Sequence, residues 1–220
     1  MSDGGDFASH IDNISLKSHN KMMWVLRTFQ TRDIYPMMTL YKSLIRPQLE
    51  YCPQIWSPYL KQDILKIEAI QRSFTSKLNG LQGLNYWQRL VKLNTMSLQR
   101  RRERYIIMYI WKILEKIVPN PSPVYITEQI SGRRGRVILR ISLPSSSTAR
   151  VKTLRDGSFM VSGPKLFNCL PRKIRDITGV PIDKFKQALD NELKKVPDEP
   201  PVYPSVSSNK LWDFKGWHSV

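Results

Sequence analysis

Cysteine is scarce in this 220-residue chain: Cys52 and Cys169 are the only two, and they lie far apart. A disulfide framework needs more of them at closer spacing. A structural zinc site needs about four Cys/His ligands gathered in short motifs, and His10, His19 and His218 have no such spacing with the cysteines. No metal or other cofactor is therefore expected, and the sparing use of cysteine fits a reducing, intracellular setting, cytoplasmic or nuclear. Long apolar runs are missing as well. The strongest, Tyr105 to Trp111, is far too short to span a bilayer, so no membrane is expected as a partner. The opening residues, Met1-Ser2-Asp3-Gly4-Gly5-Asp6, are acidic and polar, unlike a signal or transit peptide.

Negative charge is the other scarcity. The formal net charge is +17, with a pI near 10.0. Residues 1–60 carry 6 Lys/Arg against 5 Asp/Glu, residues 61–120 carry 12 against 4, residues 121–180 carry 11 against 3, and residues 181–220 carry 6 against 6. The excess therefore lies almost wholly in the central 120 residues. Such a field attracts polyanions, and nucleic acid is the commonest partner of a basic domain. Hydrophobic residues make up 41% and charged residues 24%, enough apolar content for one ordinary domain with a smaller appendage.

The apolar spacing is mostly helical. Phe7, Ile11, Ile14, Met22, Val25, Leu26 and Phe29 recur at three- and four-residue steps over residues 7–31, with a loosening expected near Ser18 to Asn20. A second helix is expected over 33–44, interrupted at Ile45-Arg46-Pro47 because the residue before proline resists the helical region. Pro47 then starts a short helix carrying Leu49, Cys52, Ile55 and Trp56. Ser57-Pro58 reads as an N-cap with proline at the first helical position. The helix after it has Leu60, Ile64, Ile67, Phe74 and Leu78 in one stripe, and Lys61, Gln62, Lys66, Glu68, Gln71 and Arg72 elsewhere. Asn79-Gly80 is its stop. A short helix is expected over Tyr86 to Leu93.

The helix from about Ser97 to Ile117 gathers Ile106, Ile110, Ile113, Leu114 and Ile117 on one arc. Arg101, Lys112 and Lys116 fall on the opposite arc, with Arg100 and Arg104 beside them; Glu103, near the apolar arc, reads as exposed at the helix end. Pro119-Asn120-Pro121-Ser122-Pro123 marks a subdomain boundary. Beyond it, Arg136 to Ile141 reads as a strand and Ser158 to Val161 as a second. Helices are expected over Pro164–Leu170, Pro171–Ile177 and Pro181–Lys195. From Val196 the chain turns proline-rich and is expected to be largely disordered. The expected organisation is a helical domain over 1–118, an extension with short strands and helices over 119–196, and a tail over 197–220.

Several stretches, in order, resemble a known family. Leu40-Tyr41-Lys42-Ser43-Leu44-Ile45-Arg46-Pro47-Gln48-Leu49-Glu50-Tyr51-Cys52, continuing to Ile55-Trp56-Ser57-Pro58-Tyr59, closely resembles a motif of jockey-like, non-LTR (LINE-type) retrotransposon reverse transcriptases. Leu65 to Arg72, Leu81 to Leu90 and Leu98 to Arg104 resemble the helices that follow in that family. Gly132-Arg133-Arg134-Gly135 resembles its Arg-Gly turn, and Gly163 to Pro171 with Phe185-Lys186 its closing segment. The resemblance runs from residue 9 to about residue 200. It implies the helical thumb that follows the catalytic palm, together with its C-terminal extension. It does not imply polymerase activity for this chain. Reverse transcription needs acidic residues holding two Mg²⁺ ions, which the family supplies in part from an aromatic-x-Asp-Asp turn, and this sequence has no Asp-Asp pair. The family's endonuclease has no counterpart before residue 9 either.

The expected fold is thus mainly α: a thumb-like helical bundle, then a small segment with a short β-hairpin and two or three short helices. The expected function is non-catalytic gripping of RNA or RNA–DNA hybrid. Arginine offers a planar fork of donors suited to phosphate oxygens, so Arg100, Arg101, Arg102 and Arg104 lead the candidates, weighed against a merely solvated helix face. Lys112 and Lys116 extend that face. Arg133, Arg134, Arg136 and Arg140 form a second cluster around Gly132 and Gly135, glycines that let the backbone approach a ligand, weighed against an exposed, solubilising hairpin. Tyr51, Trp56, Tyr86 and Trp87 could stack on bases, but their apolar settings favour core packing. The competing readings are an interaction module, whose partner could be a missing palm domain, and a truncated relic with no selected function.

Overall fold

The computed structural model describes residues 7–119, 125–129, 137–141 and 158–198, the two short middle segments by backbone alone. The described chain is mainly helical. It divides into two compact units, Met1–Arg102 and Glu103–Val220. The division falls within a helix, ahead of the proline run at 119–123 where a boundary was expected.

In the first unit, α1 (Ala8–Thr28) runs without a break through Ser18 to Asn20. Its buried stripe is Ile11, Ser15, Ser18, Met22 and Val25, a four-three alternation that puts all five on one face. Two of the five are serines. The Ser18 hydroxyl donates to Gln48 Oε1 at 3.4 Å, so the small polar side chains sit where another element comes close rather than where the helix loosens. A second helical run comprises α2 (Ile34–Leu40), a π-type turn (Tyr41–Ile45) and α3 (Arg46–Glu50). The interruption expected at Arg46-Pro47 does not occur. The Arg46 N–H bonds to the Tyr41 carbonyl, five residues back, and this widened turn precedes the proline, whose ring would otherwise press on the carbonyl four residues before it.

The break comes at Cys52, whose backbone is left-handed (φ 48°), before α4 (Pro53–Trp56). Ser57 closes α4, its N–H bonding to the Pro53 carbonyl, so it does not cap the next helix. α5 (Lys61–Thr75) starts later than expected, with Leu60 at its N-cap. Helix α6 (Tyr86–Lys92) opens on a capping box in which Asn85 and Gln88 exchange side-chain and backbone bonds. The core gathers Val25, Met37, Tyr41, Ile45, Phe74 and Leu98, all essentially excluded from solvent.

Helix α7 (Leu98–Leu114) crosses the division. In the second unit its Trp111 stacks on Phe185 (4.5 Å between ring centres, 8° between planes) and donates from Nε1 to the Ile177 carbonyl at 2.8 Å. The remaining helices are α8 (Phe159–Asn168), α9 (Arg172–Arg175) and α10 (Ile182–Leu193). The hairpin expected from residues 136–141 and 158–161 is not supported. Ser158 is the N-cap of α8, and its carbonyl accepts the first helical bonds, from Val161 and Ser162. A short apolar run such as Phe159-Met160-Val161 fits either period, and burial within a helix decides it. Val137–Ile141 is extended, but it pairs antiparallel with Tyr125–Gln129. The expected disorder of the tail concerns residues that, from 199 on, lie outside those described.

Candidate nucleic-acid interface

The leading candidates are not an open basic face. Arg100 and Arg102 are buried, at 2% and 1% exposure. Arg101 closes on Glu50 at two points: its Nε meets Oε1, and Nη2 donates to Oε2 at 2.9 Å. Arg104 does the same with Asp190, Nη2 donating to Oδ2 at 2.8 Å. Glu103, expected at an exposed helix end, is buried too. Burial or a carboxylate takes each of these arginines out of an open face, and α7 ends at Leu114, before Lys116 and Ile117. Two-point arginine–carboxylate bonds are among the stronger polar links in proteins, so these arginines act as structural fasteners in the described chain. Lys112 is half-buried, and Lys116 is exposed in a left-handed turn (φ 58°) just past α7. Arg133, Arg134 and Arg136 lie outside the described residues.

The first unit also holds a polar network that apolar periodicity did not reveal. Glu68 and Gln71, expected on the solvated side of α5, are buried at 3% and 1% exposure. The Tyr41 hydroxyl donates to Gln71 Oε1 at 2.8 Å, and Gln71 Nε2 donates to the Tyr86 hydroxyl at 3.0 Å and to the Met96 carbonyl at 3.1 Å. The Tyr86 hydroxyl in turn bonds to Glu68 Oε1. Glu68 also accepts the N–H groups of Leu98 (3.1 Å) and Gln99 (3.2 Å), so its carboxylate caps the N-terminus of α7 from across the unit. Burial, and then the Glu68 carboxylate, push both phenols well above the ordinary tyrosine range, which keeps them neutral donors.

What is exposed and basic lies elsewhere. From Ala69 to Arg102 the sequence has no Asp or Glu. Within that stretch Arg72, Lys77 and Lys92 are exposed, and Arg89 is buried beside the Tyr86 ring. The Arg72 guanidinium lies 5.1 Å from the centre of the Tyr86 ring and that of Arg89 5.9 Å from it. Lys92 Nζ donates to the Gly80 carbonyl at 2.8 Å, which ties the end of α6 to the turn after α5. Of the aromatic candidates, Trp56 and Tyr86 are core residues as expected, Trp87 is half-buried, and Tyr51 is exposed, against expectation, because the break at Cys52 turns it outward.

Among the described residues there is no cluster of three or more His, Cys, Asp or Glu placed to hold a metal ion, and no helix long and apolar enough to cross a membrane. Comparison with protein-family models, with curated proteins and with solved structures gives no match.

Proposed function

We propose that this chain is a nucleic-acid-binding, non-catalytic piece of a non-LTR retrotransposon reverse transcriptase, corresponding to the helical thumb and the extension after it. Its partner is RNA or an RNA–DNA hybrid, held through phosphate, inside the cell. The observation that carries the reading is the segregation of charge: a net +17 concentrated in the centre of the sequence, with exposed Arg72, Lys77 and Lys92 in a stretch free of carboxylates. Mixed-sign surfaces suffice for solubility, whereas a one-signed field serves a polyanion. The order of the motifs supports the family, and the missing Asp-Asp pair supports the loss of polymerisation. The test is retention of a labelled RNA–DNA hybrid by the full chain at low ionic strength, alongside primer extension with Mg²⁺. Binding without extension is expected; template-dependent incorporation would refute the non-catalytic part, and no retention the rest.

A second reading, a protein-interaction module, has one observation in its favour. Tyr51, Ile55, Tyr59, Leu60 and Leu65 are all exposed within a short stretch, at 76%, 68%, 42%, 48% and 46%. A concentration of apolar side chains on a surface marks interaction sites, and a palm domain is the occupant the family resemblance suggests.

A further inference from the structure

Half-buried Arg101 and buried Arg89 differ in what they meet. Arg101 has a carboxylate at two points, but Arg89 has carbonyl oxygens. Its Nη1 lies 3.4 Å from the Leu84 oxygen and its Nη2 3.3 Å from that of Arg72, both at the long end of the range, and its buried Nε has no hydrogen-bond partner. Burial weakens its hold on the proton, and the neighbouring Arg72 charge adds to that effect. The carboxylates on adjoining elements are engaged with other groups. Glu68 takes the Tyr86 hydroxyl and two amides, and Asp33 accepts from Thr31 and Asn79. A buried cation facing a second cation, without an anion, is costly to hold, and such a charge pattern marks a candidate functional site.

We infer that Arg72 and Arg89, which meet at the Tyr86 ring, together with Lys92 one turn past Arg89 on α6, form a site for the oxygens of a phosphate group. Arg72 and Lys92 are exposed and make the direct contacts; Arg89 sits behind them and supplies charge from a poorly screened position. The Tyr86 ring, faced by both guanidiniums, holds them in place through cation–π attraction. Lys92 is held on the carbonyl of Gly80, which has a left-handed backbone (φ 71°) and where a Cβ would stand 4.0 Å from the ammonium. Phosphate fits this trio because two exposed cations can each meet a separate oxygen while the third supplies charge behind them. The phosphate is one carried by a nucleic-acid backbone, a choice that rests on the functional reading above; free inorganic phosphate shares the chemistry.

The experiment compares the full chain with R72Q/K92Q, in which two exposed side chains are replaced and the buried network is untouched, and with K42Q/K61Q, which removes the same charge from exposed positions elsewhere in the unit. One arm titrates inorganic phosphate at constant ionic strength and follows the melting temperature. The other measures the affinity for a labelled single-stranded RNA across a salt series. Phosphate is expected to raise the melting temperature of the parent and of K42Q/K61Q, but not of R72Q/K92Q. The R72Q/K92Q slope of log affinity against log salt should be shallower by about 1.4, at about 0.7 per lost contact, with the control nearer the parent. A slope change alone supports a site for chain-borne phosphate. RNA binding by the parent with equal losses in both variants, or with none in either, and no phosphate response, overturns the site and leaves the broader reading standing. A phosphate response with no RNA binding assigns the site to free phosphate and removes the nucleic-acid reading. Failure of both arms in the parent overturns both.

Discussion

Glu68 bears a large share of the first unit's polar structure, since one carboxylate serves the Tyr86 hydroxyl and the first two amides of α7. Glu68→Ala should strand those donors in the interior and cost about 3 kcal/mol, by the scale of charged hydrogen bonds and unsatisfied buried groups. Urea denaturation checks it; a loss below about 1 kcal/mol would show that water reaches the site. Glu192, in the second unit, makes a pH prediction. Burial pulls its carboxyl upward, but bonds from Lys173 and Lys195 outweigh that and leave it below its usual value. A carboxyl lowered on folding contributes stability above its unfolded pKa and loses it as pH falls through the folded one. Glu192→Gln should therefore lower stability at pH 7 and flatten the acid limb of the stability curve. Urea midpoints between pH 7 and pH 3 measure it, and parallel curves for the two proteins would count against the ion pairs. Apolar spacing cannot report either carboxylate, because a buried acid with good partners looks in sequence like a solvated one.

At the scale of elements, helices were legible wherever the apolar period was clean, as over Ala8–Thr28, Leu98–Leu114 and Ile182–Leu193. Their exposed sides were less legible. Ser15 and Ser18 belong to the buried stripe of α1, and Arg100 and Arg102 are buried in α7. A solvated, phosphate-binding face would let Arg100, Arg101, Arg102 and Arg104 all be replaced with glutamine without unfolding the chain. The burial and the carboxylate clamps reverse that expectation: the variant should be destabilised by several kcal/mol, on the order of 1.5–3 for each charged bond lost, and should melt at a markedly lower temperature. An unchanged melting curve would return these side chains to the surface. Gly163 in α8 makes a finer test. A Cβ there would stand 2.8 Å from Ile110 Cδ1 and 3.1 Å from Cγ1, and Ile110 is itself buried. Gly163→Ala sets about 1 kcal/mol of helix propensity against this crowding and should be nearly neutral. Gly163→Val adds bulk and loses propensity, and should cost about 1–3 kcal/mol by thermal denaturation.

For the whole molecule, charge was the property most legible in sequence, since composition and its distribution need no fold to be counted. Which cations reach solvent depends on the fold. The described structure turns the arginine run inward and leaves Arg72, Lys77 and Lys92 outward in a stretch without acids. The division between compact units at Arg102 and Glu103 lies inside an uninterrupted helix, where no proline or glycine marks it in the sequence. The central claim is that the exposed excess of positive charge binds nucleic acid through phosphate. The most direct measurement is the affinity of the full chain for single-stranded RNA over a range of salt. Contacts by Arg72, Lys77 and Lys92 predict that log affinity falls with log salt at a slope of about −2 or steeper, at roughly 0.7 per phosphate. A slope near zero, or no binding at low salt, would contradict the account.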